Sequence, residues 1–114
     1  MVCTLSVPVM AKNYDITADY GVASGSGSFV YYDNVTSYNT MKLTVKYFYK
    51  DAGGLVKSNQ GGSLTNENNE RIYATVSPKA GDVFSMSFGT ESYGFVNDVQ
   101  IAQASKANPL AMNE

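Results

Sequence analysis

Residues 41–50 constrain the fold of this chain more than any other segment. Along MKLTVKYFYK, apolar and polar residues alternate with a period of two, which is the side-chain period of a β-strand. One face of the predicted strand carries apolar and aromatic side chains: Met41, Leu43, Val45, Tyr47 and Tyr49. The other face carries Lys42, Thr44, Lys46, Phe48 and Lys50. The alternation therefore predicts a strand with a core on one side and a mostly basic surface on the other.

Short β-rich runs separated by turn residues surround this strand and predict a mainly antiparallel sheet. These runs are residues 3–9, 14–20, 29–32, 55–59, 71–77 and 82–88. We expect a hairpin turn at residues 51–54, because its two glycines permit a positive φ. The segments 21–27 (GVASGSG) and 60–69 (QGGSLTNENN) are predicted to be loops.

The pattern changes after residue 89. Thr90 is a suitable N-cap for a helix. Three apolar side chains then recur at i, i+4 and i+7, the spacing of one helical face: Phe95, Val99 and Ala102. This spacing predicts a helix over residues 90–105, and an additional strand over residues 94–102 is the alternative.

A chain of 114 residues has room for one hydrophobic core, so we expect a single domain. Its expected parts are an N-terminal hairpin over residues 1–20, an antiparallel sheet over residues 27–89 and a helical C-terminal segment over residues 90–114. The predicted fold class is mainly β with a C-terminal helix, that is, α+β.

The residue types that carry most enzyme chemistry are scarce. The chain contains no histidine, which removes the commonest general base, the usual zinc ligand and every Ser-His or Cys-His nucleophile pair. Its acids are scattered mostly in predicted turns, so a glycosidase-like carboxylate pair has little support. We therefore expect a protein that is not an enzyme and that has no cofactor, no metal site and no small-molecule substrate.

The first residues and the single cysteine bear on the compartment. The segment MVCTLSVPVMAK lacks the basic start and long apolar core of a secretory signal, and no run of about 18 apolar residues follows it. Cys3 is the only cysteine and cannot form an intramolecular disulfide, which is typical of a reducing compartment. We expect a soluble protein made in a cytoplasm and without a membrane partner.

The basic residues are unevenly distributed. The formal net charge is −2, yet six of the eight basic residues fall between positions 42 and 79. Lysines four residues apart on one strand face are separated by about 13–14 Å, so Lys42, Lys46 and Lys50 form a stripe. Polar residues of later strands can extend this surface: Arg71, Tyr73, Thr75 and Ser85. Such groups can donate to phosphates or bases, whereas lysines on a solvated sheet face are the simpler alternative.

The order of elements resembles the coat proteins of single-stranded RNA bacteriophages, the levivirus type. The likeness is most specific at residues 41–47 (MKLTVKY), which resemble the central strand that faces RNA in that family. Residues 82–110 (DVFSMSFGTESYGFVNDVQIAQASKANPL) resemble its last strand and the helix that clasps a partner subunit. Two departures are the short turn at residues 78–81 and the reduced second terminal segment at residues 107–114.

The resemblance implies a homodimer that assembles into an icosahedral shell around single-stranded RNA. The shell would be the virion of a phage whose coat protein is made in the bacterial cytoplasm, and the dimer would bind an RNA hairpin that represses translation. It implies that Lys42, Thr44 and Lys46 face RNA, followed by Arg71, Tyr73, Thr75 and Ser85 if the later strands keep the same register. Phe95, Val99 and Ala102 would contact the partner subunit.

A second function is compatible with the same composition. A small β-sandwich that binds carbohydrate could use exposed tyrosines, of which the chain has nine, together with turns rich in Asn and Asp. Such a lectin-like module has no need of lysines in register, so the lysine stripe distinguishes the two hypotheses.

Overall fold

A computed structural model describes residues 13–32, 38–51, 53–67, 69–82 and 84–108, without the side chains at positions 38, 39 and 84–87. Seven strands and no helix occur in these ranges. The strands are β1 Tyr14–Tyr20, β2 Gly25–Tyr31, β3 Tyr38–Asp51, β4 Val56–Glu67, β5 Ile72–Val76, β6 Phe84–Val96 and β7 Val99–Ala107. They form two antiparallel sheets with the strand orders β1-β2-β5 and β4-β3-β6-β7.

The hydrophobic core lies between the two sheets, as in a β-sandwich. From the four-stranded sheet, alternate residues of β3 point inward, and all five are fully buried: Met41, Leu43, Val45, Tyr47 and Tyr49. From the three-stranded sheet, Phe29 of β2 and alternate residues of β5 meet them. The sequence analysis predicted a strand over residues 41–50 with its apolar face in the core, and both predictions are confirmed.

Small residues in β2 allow the sheets to approach closely. A Cβ at Gly25 would lie 2.4 Å from Thr90 Oγ1, and a Cβ at Gly27 would lie 2.2 Å from Ser92 Oγ. Both hydroxyls are buried and have no hydrogen-bond partner among the described residues. The prediction of a loop over residues 21–27 is therefore wrong from Gly25 onward, because Gly25 and Gly27 belong to a strand that packs against β6.

The predicted C-terminal helix is wrong, and the described part of the chain is all β rather than α+β. Strands β6 and β7 form a hairpin whose two turn residues, Asn97 and Asp98, have φ values of 51° and 68°. Positive φ at both central residues matches the right-handed twist of the flanking strands, and Asn and Asp tolerate it. The turn is fixed to β3 by hydrogen bonds in both directions, with Asn97 N–H donating to Thr40 O and Thr40 N–H donating to Asn97 Oδ1. The alternative of one strand over residues 94–102 also fails, because this turn interrupts it.

The predicted loop over residues 60–69 is mostly strand. β4 pairs with β3 in continuous register from Lys50↔Val56 to Met41↔Thr65. Pairing with a strong central strand outweighs the weak β propensity of Gly, Asn and Gln in this segment. Residues 3–9, the first half of the predicted N-terminal hairpin, lie outside the described ranges, and β1 pairs with β2.

A polar cluster holds the β3–β4 turn against the segment that precedes β6. Tyr49 donates its hydroxyl hydrogen to Asp82 Oδ2 at 2.5 Å and accepts one from Lys79 N–H at 3.1 Å. Lys57 Nζ bridges Asp82 at 3.1 Å and Asp51 at 3.4 Å. Hydrogen bonds from Tyr49 and Lys57 hold the pKa of Asp82 below its usual range. Lys57 is therefore engaged within the fold.

Candidate nucleic-acid interface

The outer face of the four-stranded sheet, called the lysine face below, is built on the alternate residues of β3 that point away from the core. They are Lys42, Thr44, Lys46, Phe48 and Lys50, all exposed or half-buried. β3 is an inner strand of its sheet, with β4 on one side and β6 on the other. The lysines therefore occupy the middle of a sheet surface.

Each lysine of this face places its Nζ over a phenylalanine ring. The distances to the ring centroids are 4.7 Å for Lys42 over Phe95, 4.9 Å for Lys46 over Phe48 and 5.1 Å for Lys50 over Phe88. An ammonium over an aromatic face gains about 0.5–1 kcal/mol at an exposed site. Because each ammonium lies over a ring, cations and aromatic rings share one surface.

Phe88 reaches this surface through a β-bulge. Phe48 pairs with Gly89 and Tyr49 pairs with Ser87, so Phe88 is an extra residue in β6. A bulge bends its strand and redirects a side chain, and here it brings Phe88 beneath Lys50. Sequence reasoning missed the roles of Phe88 and Phe95, because cross-strand partners depend on register and Phe95 was assigned to a helix.

One carboxylate lies among these cations. Glu91 pairs directly with Lys46 across β6 and β3, but Lys46 extends over Phe48, and the described residues show no ion pair between Lys46 and Glu91. The Tyr93 hydroxyl donates to Glu91 Oε1 instead. This hydrogen bond, with smaller contributions from burial and from the negative charge, raises the pKa of Tyr93 to about 12. Tyr93 thus donates to the carboxylate and orients it.

A pocket of about 250 Å³ opens on the lysine face beside Glu91. We call it the Phe48 pocket; side chains from four strands line it: Phe48, Val56, Phe88, Glu91, Ser105 and Ala107. Ser105 of β7 pairs directly with Glu91 of β6, so two polar groups lie side by side against aromatic walls.

The structure does not bring Arg71, Tyr73 and Thr75 to the lysine face. Tyr73 and Thr75 lie on β5 and point to the outer face of the three-stranded sheet, where Tyr73 is 66% exposed. Arg71 precedes this strand and donates to Ser28 Oγ at 3.1 Å. The expectation of one continuous surface assumed a single sheet and is wrong for this reason. Ser85 lies in β6, but its side chain is outside the described part.

The three residues expected at a dimer interface do not share one face either. Phe95 lies under Lys42 on the lysine face, whereas Ala102 is buried in the core. Val99 begins β7 directly after the turn and is 62% exposed. A spacing of i, i+4 and i+7 brings residues to one face only in a helix. In the β6–β7 hairpin the three side chains do not share one surface.

No group of three or more His, Cys, Asp or Glu side chains within the described ranges could hold a metal ion. That part of the chain also has no helix long and apolar enough to cross a membrane. Comparisons with protein-family models, curated proteins and solved structures find no match to this chain. The resemblance to phage coat proteins stays a prediction from the sequence.

Proposed function

We propose that this chain is a non-catalytic protein that binds single-stranded RNA on the lysine face. The observation that carries the proposal is the set of three lysines in register on β3, each with its ammonium over a phenylalanine ring. Proteins that bind unpaired RNA on a sheet surface combine cations for phosphates with aromatic rings for bases. Thr44, between Lys42 and Lys46, adds a hydroxyl at the centre of the surface.

The net negative charge does not oppose this proposal, because several acids pair with cations elsewhere. Asp51 and Asp82 both contact Lys57 at the β3–β4 turn. Asp19 of β1 pairs with Lys106 at 3.3 Å. These acids lie off the lysine face, so the local field there is set mainly by its three lysines and Glu91.

Self-assembly belongs to the same proposal, with copies forming a shell that packages RNA as phage coat proteins do. Homodimers would form by pairing of sheet edges, since the described part of the chain has no helix that could pack on a partner subunit. β4 is an edge strand of 12 residues, and its outer backbone groups form a template for a strand of a second copy. A virion location and repression of translation through an RNA hairpin follow only if such assembly occurs.

The decisive experiment is RNA binding measured over a range of salt concentrations. Lysines that neutralise phosphates release counterions, so affinity should fall steeply with salt in the wild-type protein. Replacing Lys42, Lys46 and Lys50 together by alanine should lower the log-log slope by about two, at about 0.7 per phosphate-contacting lysine on a single strand. Lys79→Ala, at an exposed turn position, is the matched control and should leave the slope unchanged.

Two results would contradict the proposal. One is the absence of RNA binding by the wild-type protein at low salt. The other is a triple variant that remains folded by circular dichroism and binds as the wild type does. Light scattering and electron microscopy test assembly separately, and a protein that stays monomeric at micromolar concentration would remove the shell from the proposal.

A carbohydrate site on the other sheet is the second candidate. The two-sheet sandwich exposes Tyr73 beside Arg71, whose guanidinium lies 3.8 Å from the Asp15 carboxylate. An exposed aromatic ring next to fixed hydrogen-bonding groups suits a sugar. A glycan array hit that is lost in Tyr73→Ala but retained in the triple lysine variant would support this function.

A further inference from the structure

We infer that the Phe48 pocket binds one unpaired guanine base of the RNA. This inference rests on the proposed function and adds base selectivity to a surface that otherwise recognises phosphates. Three features carry it: the aromatic walls of the pocket, a carboxylate fixed by a neighbouring hydroxyl, and lysine ammonium groups over the rings that form those walls.

The walls suit a flat aromatic ligand. Phe48 and Phe88 line the pocket from β3 and β6, and Val56 and Ala107 complete its apolar part. Phe88 is only 8% exposed, and Lys46 and Lys50 lie over the two rings, so the rings offer a base apolar walls and not open faces for stacking. The volume of about 250 Å³ is below the range of roughly 300–1,000 Å³ that is typical of sites for larger ligands. A single base is therefore the part of an RNA chain that this pocket can take.

Glu91 selects among the bases. An ionised carboxylate only accepts hydrogen bonds, so it requires donors on its ligand. The Watson–Crick edge of guanine offers two adjacent donors, N1–H and the N2 amino group. Adenine and cytosine place a ring acceptor beside their amino group, and uracil flanks its single N–H with two carbonyl oxygens. These acceptors would face the carboxylate and weaken binding, so guanine is the complementary base.

The position of Glu91 is otherwise difficult to explain. A surface that binds only phosphates is weakened by a carboxylate, unless a cation neutralises it. Lys46, its cross-strand neighbour, lies over Phe48 instead. Tyr93 holds Oε1, and Oε2 has no hydrogen-bond donor among the described residues. The carboxylate is thus oriented, and both of its oxygens can still accept from a ligand, because each can accept two hydrogen bonds.

Lys46 and Lys50 link the pocket to the RNA backbone. Lys46 and Lys50 place their ammonium groups over Phe48 and Phe88, the two rings that form its aromatic walls. A nucleotide whose base enters the pocket therefore presents its neighbouring phosphates to these cations. Apolar contact, base selection and phosphate neutralisation can act on the same segment of RNA.

The test compares short RNAs that differ at one position. Each RNA has nine nucleotides, with uridine at eight positions and guanine, adenine, cytosine or hypoxanthine at the centre. The wild-type protein should bind the guanine RNA about 10-fold more tightly than the adenine or cytosine RNA, as expected for one bidentate base contact. Hypoxanthine, which lacks the N2 amino group, should give an intermediate affinity.

Variants then assign the preference to the carboxylate. Glu91→Gln should bring all four RNAs to within about twofold of one another, because the amide no longer offers two acceptors. Tyr93→Phe should reduce the guanine preference in part, through loss of the hydroxyl that positions Glu91. Glu67→Gln, an exposed position outside the pocket, removes the same charge and should retain the full preference.

The outcomes separate this inference from the proposed function. If the wild-type protein binds all four RNAs equally, or if folded Glu91→Gln keeps the guanine preference, the pocket inference is overturned and RNA binding stands. If the wild-type protein binds none of the RNAs at low salt, the proposed function itself fails. A guanine preference that disappears in Glu91→Gln and persists in Glu67→Gln supports both.

Discussion

The two faces of β3 differ sharply although their residues alternate along one strand. On the inner face, five successive alternate side chains from Met41 to Tyr49 are fully buried. On the outer face, Lys42 is exposed, and the positions from Thr44 to Lys50 are half-buried. A second sheet covers the inner face, whereas the outer face, within the described residues, is shaped by the neighbouring strands of its own sheet.

This difference separates stability from recognition. The inner face of the four-stranded sheet is packed closely against β2. The hydroxyls of Thr90 and Ser92 on β6 lie against glycines of β2. Removing or adding atoms there changes the free energy of unfolding directly. The outer face holds charged groups whose contacts are partly solvated, so substitutions there should change binding far more than folding.

The largest expected effect comes from the inner face. Leu43→Ala should lower the free energy of unfolding by about 2–5 kcal/mol, because it leaves a cavity in the core. Thr44→Ala, the next residue on the opposite face, is the matched control and should change it by within about 0.5 kcal/mol. Urea denaturation measures both. Similar losses in the two variants would show that the faces of β3 do not differ in this way.

A smaller loss of stability is expected at Gly94 of β6, where the inner face of the four-stranded sheet has no room for a methyl group. A Cβ at Gly94 would lie 2.6 Å from the ring of Phe29, which is fully buried and cannot move into solvent. Gly94→Ala should therefore destabilise the fold by about 1–3 kcal/mol through overpacking. Gly21→Ala is the control, since a Cβ there meets nothing within 4 Å. Thermal unfolding that shows equal stability for the two variants would contradict close packing between β2 and β6.

Local patterns predicted the central strand and its turn. The alternation over residues 41–50 repeats every two residues, so both faces of β3 can be assigned from the sequence. The turn after Asp51 was also predicted; Gly54 has a φ of 92°, and Leu55 N–H donates to Asp51 Oδ1. Both features depend on residues close together in the chain.

The C-terminal region was mispredicted because two patterns overlap there. Phe95, Val99 and Ala102 fit a helical stripe, yet Asn97 and Asp98 between them form the turn of a hairpin. The Asn-Asp pair between two β-rich runs was the signal that could have predicted the turn. Three apolar residues at helical spacing are weak evidence for a helix when two turn-forming residues, Asn97 and Asp98, lie between them.

The candidate site was predicted only in part for a different reason. Lys42, Thr44 and Lys46 share a face because they belong to one strand. Whether Tyr73 and Thr75 join them depends on which sheet β5 enters, and that is decided by long-range pairing. The ring partners of the lysines and the bulge at Phe88 depend on register in the same way.

Replacing Lys46 should have the smallest effect on the free energy of unfolding and a clear effect on RNA affinity. Lys46→Ala removes one cation–π contact with Phe48, so it should lower the free energy of unfolding by less than about 1 kcal/mol. Its RNA affinity should fall for every sequence, and the log-log salt slope should decrease by about 0.7. Lys46→Arg keeps the charge and should restore the slope.

Thr44→Ala sharpens the same test, because it removes a hydroxyl without changing the charge. A hydroxyl near a base edge discriminates among sequences and does not release counterions, so this variant should alter RNA preference and leave the salt slope intact. Salt-titrated binding of both variants, beside urea denaturation, separates the two contributions. If Lys46→Ala unfolds the protein as readily as Leu43→Ala does, the loss of binding reports folding, and the outer face has no separate role. If Lys46→Ala stays folded and its slope is unchanged, Lys46 does not contact a phosphate.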